Sequence, residues 1–211
     1  MGATVVVANA PWRWRAIFVE LVRGAECVLA ADGGANHLAR IGVRPDAVVG
    51  DLDSIRPGVR SWVGEERMVL RTDQDFTDLH KTLEFAFDER RARQVIVLAA
   101  TGGRLDHDLE NLALLVRWAS RGSLELRDER HRVVPVVDKT ELATTTGQGI
   151  SLMPVGRCES VFTRGLRWEL HGEPLDLTGR TSVSNLSEGD RTEIRVEGGA
   201  LLVFLSEPVT R

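Results

Sequence analysis

The sequence predicts two domains of different class. Residues 1–130 read as an α/β domain with a mostly parallel sheet flanked by helices, and residues 131–211 as a smaller all-β sandwich or barrel. Three observations lead there. Up to about residue 130, short apolar, β-branched runs alternate with stretches of helical spacing, the pattern of a sheet covered on both faces. Beyond Asp128 no stretch has convincing helical spacing, and short strand-like runs are punctuated by Gly, Asn, Asp and Pro. A hydrophobic fraction of 43% supplies a real core.

In chain order, Thr4–Ala8 is a β-branched run and Arg15–Arg23 has helical spacing. Cys27–Ala31 is apolar, Ala35–Ile41 fits a short helix, and Ala47–Gly50 and Met68–Leu70 are further short strands. Thr77–Arg91 reads as a helix with Leu79, Leu83, Ala86 and Phe87 on one face. Gln94–Ala100 is the clearest buried strand, and Leu105–Ser120 a helix with Leu105, Leu109, Leu112 and Val116 on one stripe. Right-handed crossovers then bring the loops after the strands to one edge, where such sheets bind ligands. The second domain is expected to hold strands at Val133–Val137, Gly149–Pro154, Glu159–Thr163, Arg167–Leu170, Ser182–Asn185, Arg191–Val196 and Ala200–Leu205. At about 80 residues it is small for independent stability and is expected to pack on the first domain or on a second subunit.

The bulk composition excludes several classes. A net charge of −4 with no basic block argues against nucleic acid. No apolar run approaches the ~20 residues of a membrane span, and Met1–Ala10 lacks the positive start of a signal peptide. The two cysteines, Cys27 and Cys158, form neither a zinc quartet nor a disulfide framework, which fits a reducing cytoplasm.

Four acidic motifs follow the apolar runs of the first half: ADGGAN (Ala31–Asn36), GDLDS (Gly50–Ser54), DQDFTD (Asp73–Asp78) and GGRLDHD (Gly102–Asp108). Carboxylate oxygens suit a hard cation, and glycine-rich turns let backbone N–H groups approach phosphate. Gly33 and Gly34 are read as conformationally permissive turn residues, with Asn36 near a helix start. Gly50 permits a turn that would bring Asp51 and Asp53 together, where they repel unless a cation sits between them; the alternative is a pair of helix-capping or solvent-facing aspartates. Thr77 or Asp75 is a candidate cap for the helix entered by Asp78. Lys81, one turn on, either reaches phosphate or pairs with Asp78. His80 is read as a surface residue and His107 as structural or orienting. Arg104 offers a planar fork for phosphate, with Asp106 in the first turn of the helix that follows.

The set of motifs, in this order and spacing, resembles the thiamine pyrophosphokinase (thiamine diphosphokinase) family, which shows ADGGAN, GDxDS, QDxTDxxK and GGRxDH. The resemblance extends to Gly165–Leu170, similar to the family's GLxWxL, and to Ser182–Asn185, similar to its serine–asparagine segment, so it covers almost the whole chain. Leu52 stands where many relatives have Phe, His80 where an acid is common, and Val183 where Thr is frequent.

The resemblance implies an ATP:thiamine diphosphotransferase that gives thiamine diphosphate and AMP, with Mg2+ and ATP as co-substrate. By motif position it makes Asp51, Asp53 and Asp78 the magnesium ligands, with Asp106 close by. Asp32, Gly33, Gly34 and Asn36 fall on the nucleotide side, Lys81 and Arg104 clamp phosphate, and Gln74 and Asp75 position substrate. Trp168 is the implied thiamine contact, its indole suited to a flat pyrimidine and a cationic thiazolium. Ser184 and Asn185 are candidates to hydrogen-bond the aminopyrimidine. The resemblance also implies a homodimer with shared active sites; the cysteines and the composition add the expectation of a cytoplasmic protein without nucleic-acid or membrane partners. Two alternatives keep part of the pattern: another magnesium-dependent diphosphokinase or phosphohydrolase, and a non-catalytic thiamine or nucleotide sensor.

Overall fold

A computed structural model describes residues 2–207. The chain divides into two compact units. One holds the residues up to Leu114 together with Arg121–Leu126, the other Leu115–Ser120 and the residues from Arg127 on.

The first unit has strands β1 (Thr4–Val7), β2 (Cys27–Ala31), β3 (Ala47–Gly50), β4 (Met68–Leu70), β5 (Gln94–Leu98) and β6 (Ser123–Arg127). Its helices are α1 (Ala16–Arg23), α2 (Gly34–Arg40), α3 (Pro57–Val63) and α4 (Asp78–Glu84), with the start of α5 (Leu105–Trp118). The strands lie in the order β6-β5-β1-β2-β3-β4. The pairs β5–β1, β1–β2, β2–β3 and β3–β4 are all parallel. Val5, Val6 and Val7 of β1 are fully buried, as are Val48 and Val49 of β3, which is why these strands read as continuous apolar runs. The chain builds outward from β1 through β2, β3 and β4, then returns to place β5 on the other side of β1. The resulting switch point between β1 and β5 opens a crevice at the carboxyl ends of the strands.

The second unit is an antiparallel sandwich. Its strands are β7 (His131–Val136), β8 (Lys139–Ala143), β9 (Gly149–Val155), β10 (Arg157–Arg164), β11 (His171–Asp176), β12 (Ser182–Leu186), β13 (Arg191–Glu197) and β14 (Ala200–Ser206). One layer runs β12-β9-β14-β7 and the other β11-β10-β13-β8. In β13, Thr192, Ile194 and Val196 point inward and their neighbours outward, the period-2 signature of a half-buried strand. Leu152, Val161, Leu175, Ile194, Leu201 and Val203 meet between the layers. Full burial of one such side chain is worth about 1.5–3 kcal/mol.

Several local expectations are corrected. Arg167–Leu170 is not a strand; the strand lies just beyond it, in β11. The apolar stripe read on α5 is not its buried face: Leu105 is 83% exposed and Leu109 68%, while Asn111, Leu114, Leu115 and Trp118, at i, i+3, i+4, i+7 spacing, are buried. His80 is buried rather than at the surface, because α4 is covered on several sides and Phe76 stacks on the imidazole at 4.2 Å. The helix from Asp78 passes into a π-helical turn at Phe85–Glu89. Helix α3 and strands β6 and β8 were not anticipated. Pro57 at the start of α3 carried the available signal. No helix among the described residues is long and apolar enough to cross a membrane.

Candidate active site

The crevice of the first unit is a cleft of about 630 Å³, lined by the segments that leave β1, β2 and β3 and by the first turns of α4 and α5. Asp32 follows β2, Asp51 follows β3, and Asp78 opens α4. One carboxylate oxygen from each lies within 4.8 Å of the others. Backbone geometry brings them together. Asp32 takes φ 40° and Leu52 φ 65°, left-handed conformations that turn both strand exits toward the cleft. Gly50 sits beneath the cluster, where a Cβ would come 2.8 Å from Asp78 Oδ1.

The cluster is electrostatically incomplete. Asp32 is 2% exposed; its Oδ2 accepts the Ser54 N–H at 2.9 Å, and its Oδ1 is buried without a partner. Burial raises its pKa, and the Asp78 and Asp53 charges add to that, against the Ser54 hydrogen bonds. Burial likewise raises the pKa of Asp78, opposed by Lys81 and reinforced by Asp51. Lys81 is 5% exposed and its Nζ lies 3.3 Å from Asp78 Oδ1. One buried cation beside three carboxylates leaves excess negative charge, the condition that a divalent cation relieves. Asp32, Asp51 and Asp78, all oxygen donors, therefore fit a hard divalent ion.

The cleft gathers Asp32, Gly33, Asp51, Gln74, Asp78, Lys81 and Arg104 from the residues anticipated in the sequence. Others serve its walls. The Asp53 side chain accepts the Ser54 hydroxyl at 2.8 Å, and the carboxylate grouped with Asp51 and Asp78 is that of Asp32. Asn36 ties α2 to the loop after β3, donating to Ser54 O and accepting from Arg56 N, both at 3.0 Å. Asp75 lies in a turn where its N–H donates to Asp73 Oδ1, and Thr77 is the cap of α4. Asp106 grips Arg104 with both oxygens, at 3.1 and 2.5 Å, and Arg104 holds the Asp106 carboxyl down to about 2. The glycine pair acts through space rather than dihedral freedom. Gly33 (φ −58°) and helical Gly34 need no unusual backbone, but a Cβ would strike the Asn9 side chain at 2.2 Å from Gly33 and Val7 O at 2.0 Å from Gly34.

Sequence reasoning missed Asn9, Phe76 and Asn111, which line the cleft together with His107, read as structural or orienting. Asn9 occupies the same strand-exit position after β1 that Asp32 occupies after β2, which was the usable signal. Asn111 donates to Ala100 O at 2.8 Å, one helical turn past His107.

In the second unit Trp168 stands in the loop before β11, 57% exposed, so it is not a core residue of the sandwich. The Arg167 guanidinium lies 5.7 Å from its ring centroid. Ser184 (φ 60°) and Asn185 border a separate hollow of about 430 Å³ with Ser151, Met153 and Phe204; Trp168 is not among its walls.

Residues 18–126 match the family model described as "Thiamin pyrophosphokinase, catalytic domain". Residues 135–201 match "Thiamin pyrophosphokinase, vitamin B1 binding domain". Thiamine pyrophosphokinase 1 of Oryza sativa subsp. japonica is 31% identical over 194 residues, covering 79% of this chain and 74% of that protein. The chain belongs to the thiamin pyrophosphokinase family. Thiamine pyrophosphokinase 1 of Arabidopsis thaliana is 28% identical over 205 residues, covering 84% and 77%. In fold, the thiamine pyrophosphokinase of Bacillus subtilis superposes with a TM-score of 0.83 at 22% identity, covering 97% of this chain and 98% of that one. The thiamin pyrophosphokinase of Candida albicans gives 0.83 at 15% identity, covering 98% and 90%. Membership in the thiamin pyrophosphokinase family makes this chain a transferase and supports thiamine diphosphokinase activity.

Proposed function

We propose that the protein transfers the β,γ-diphosphoryl group of ATP to the hydroxyethyl oxygen of thiamine, releasing AMP, with Mg2+ held by Asp32, Asp51 and Asp78. The observation that carries the reading is the convergence of these carboxylates, one with a buried unpartnered oxygen, in a cleft that also holds Lys81 and Arg104. When bound, the cation offsets charge on the polyphosphate. Charge also builds on the diphosphoryl group in the transition state, so preplaced cationic donors lower the barrier. Lys81 is already desolvated and fixed by Asp78, so it meets phosphate with little reorganisation. Arg104 reaches phosphate by exchanging Asp106 for it. Both side chains are largely exposed, so the pair itself is weak and the exchange costs little. Gln74 supplies an amide at the cleft wall for the acceptor substrate.

Trp168, exposed in the sandwich loop, is the thiamine contact in this reading. We also propose that the chain works as a homodimer, the β-rich unit of one copy serving the cleft of the other. The exposed Leu105 and Leu109, one turn apart on α5, support a covered face there. The unpaired thiols of Cys27 and Cys158 fit work in a reducing cytoplasm. The test is direct: incubate the protein with ATP, Mg2+ and thiamine and separate the products. Equal amounts of AMP and thiamine diphosphate are expected. ADP with thiamine monophosphate, or no turnover of thiamine, would refute the reading.

A further inference from the structure

We infer that Asn185 is a positioning residue that acts through Trp168, rather than a direct contact of the substrate. The loop carrying Trp168 runs antiparallel to the end of β12. Glu188 N donates to Gly165 O at 2.9 Å, Leu166 forms a bridge with Ser187, and Arg167 N donates to Leu186 O at 2.9 Å. The next pair in this register is Trp168 with Asn185. There the main chain of β12 departs: the register with β9 shifts between Ser182 and Asn185, and Ser184 takes φ 60°.

The Asn185 side chain continues the ladder in place of a peptide group. Its Nδ2 donates to Trp168 O at 2.7 Å, and its Oδ1 accepts from Trp168 N at 3.2 Å. The same oxygen accepts from Leu186 N at 2.8 Å. These partners fix the amide orientation, since only oxygen can face two N–H groups and only nitrogen the carbonyl. Asn185 is 2% exposed, so a substrate would meet the indole and not this amide. A carboxamide has the donor and acceptor of a peptide unit, and burial raises the cost of leaving either end of Trp168 unpaired. The consequence is an exposed indole carried on a main chain held at both its N–H and its C=O, which limits the entropy lost on stacking.

The inference rests on the proposed thiamine contact of Trp168, and two measurements separate its failure from a failure of that reading. The first needs no substrate: amide exchange at Trp168. Protection is expected in the native protein and is expected to fall at least about tenfold in Asn185→Leu, which keeps the size but removes the acceptor of the Trp168 N–H. An unprotected Trp168 amide in the unaltered protein would overturn the clamp. The second is a double-mutant cycle on thiamine KM. Asn185→Asp alone should raise it about tenfold with ATP KM unchanged, equivalent to ~1.4 kcal/mol. In a Trp168→Ala background the same change should have no further effect on thiamine KM. An equal rise in both backgrounds would make Asn185 a direct contact and sink the inference, as would a lowered Tm with thiamine KM unchanged. Unaltered protein that fails to turn over thiamine refutes the proposed substrate instead, and leaves the exchange result to decide the clamp.

Discussion

Two buried polar side chains, one in each unit, are treated in opposite ways. At the cleft of the first, Asp32 is buried with one oxygen unpartnered, burial lifts the pKa values of Asp32 and Asp78, and two strand exits adopt left-handed backbone. In the second, the comparably buried Asn185 has partners on both ends of its amide. The difference separates two kinds of polar residue. An uncompensated carboxylate at a cleft suits a ligand, whereas a satisfied amide belongs to the architecture that presents a neighbour. An unsatisfied buried group costs about 1–3 kcal/mol, and folding tolerates that where binding returns it.

Four experiments would break or sharpen this contrast. The largest effect is expected at the cluster. Asp51→Asn and Asp78→Asn should each lower kcat by about 100- to 1,000-fold, as loss of an electrostatic stabiliser does, with the circular dichroism unchanged. Asp53→Asn, outside the grouped carboxylates, should cost less, and equal losses at all three would redraw the site. Next, Trp168→Ala should raise thiamine KM about 5- to 150-fold, from ~1–3 kcal/mol of lost stacking. Its exposure predicts an unchanged Tm, so a large drop in Tm with normal thiamine KM would return it to a structural role.

Third, Leu109→Glu should weaken self-association at least about tenfold, since placing a charge in an apolar interface costs more than ~1.4 kcal/mol. Sedimentation of both proteins over a dilution series reads this, and an unaffected dimer would move the interface elsewhere. The smallest effect concerns stability. The raised folded pKa values of Asp32 and Asp78 mean that the native state binds more protons there than the unfolded chain. Their contribution is thus present below the ordinary carboxylate range and is lost as pH rises through the raised values. Mg2+ should restore it: at about 100 times its Kd, ~2.7 kcal/mol raises Tm by about 5–10 °C at neutral pH, and by less in acid. Asp32→Asn should raise the Tm of the metal-free protein and abolish the Mg2+ response. A metal-induced shift that survives in Asp32→Asn would remove that residue from the cation site.

The sequence by itself determined the fold class of both units, the family, and the strand exits at which the chemistry gathers. Period and punctuation are local properties, and apolar runs ending at Ala31, Gly50 and Ala100 declare a parallel sheet with a functional edge. Tertiary structure decided which acids converge. Asp51 and Asp53 are neighbours in sequence, but the third carboxylate of the cluster comes from Asp32, brought across by the pairing of β2 with β3. It also decided which face of α5 is buried, because Leu105–Val116 and Asn111–Trp118 share one period and only the surface they meet distinguishes them. Likewise Gly33 and Gly34 looked like flexible turn residues, while their cause is the closeness of Asn9 and Val7, set by the packing of α2 on β1. And the amide of Asn185, which the sequence offered to a substrate, is taken by Trp168: two segments 17 residues apart meet only when the sandwich folds, and a buried carboxamide pairs with whatever backbone the fold brings to it.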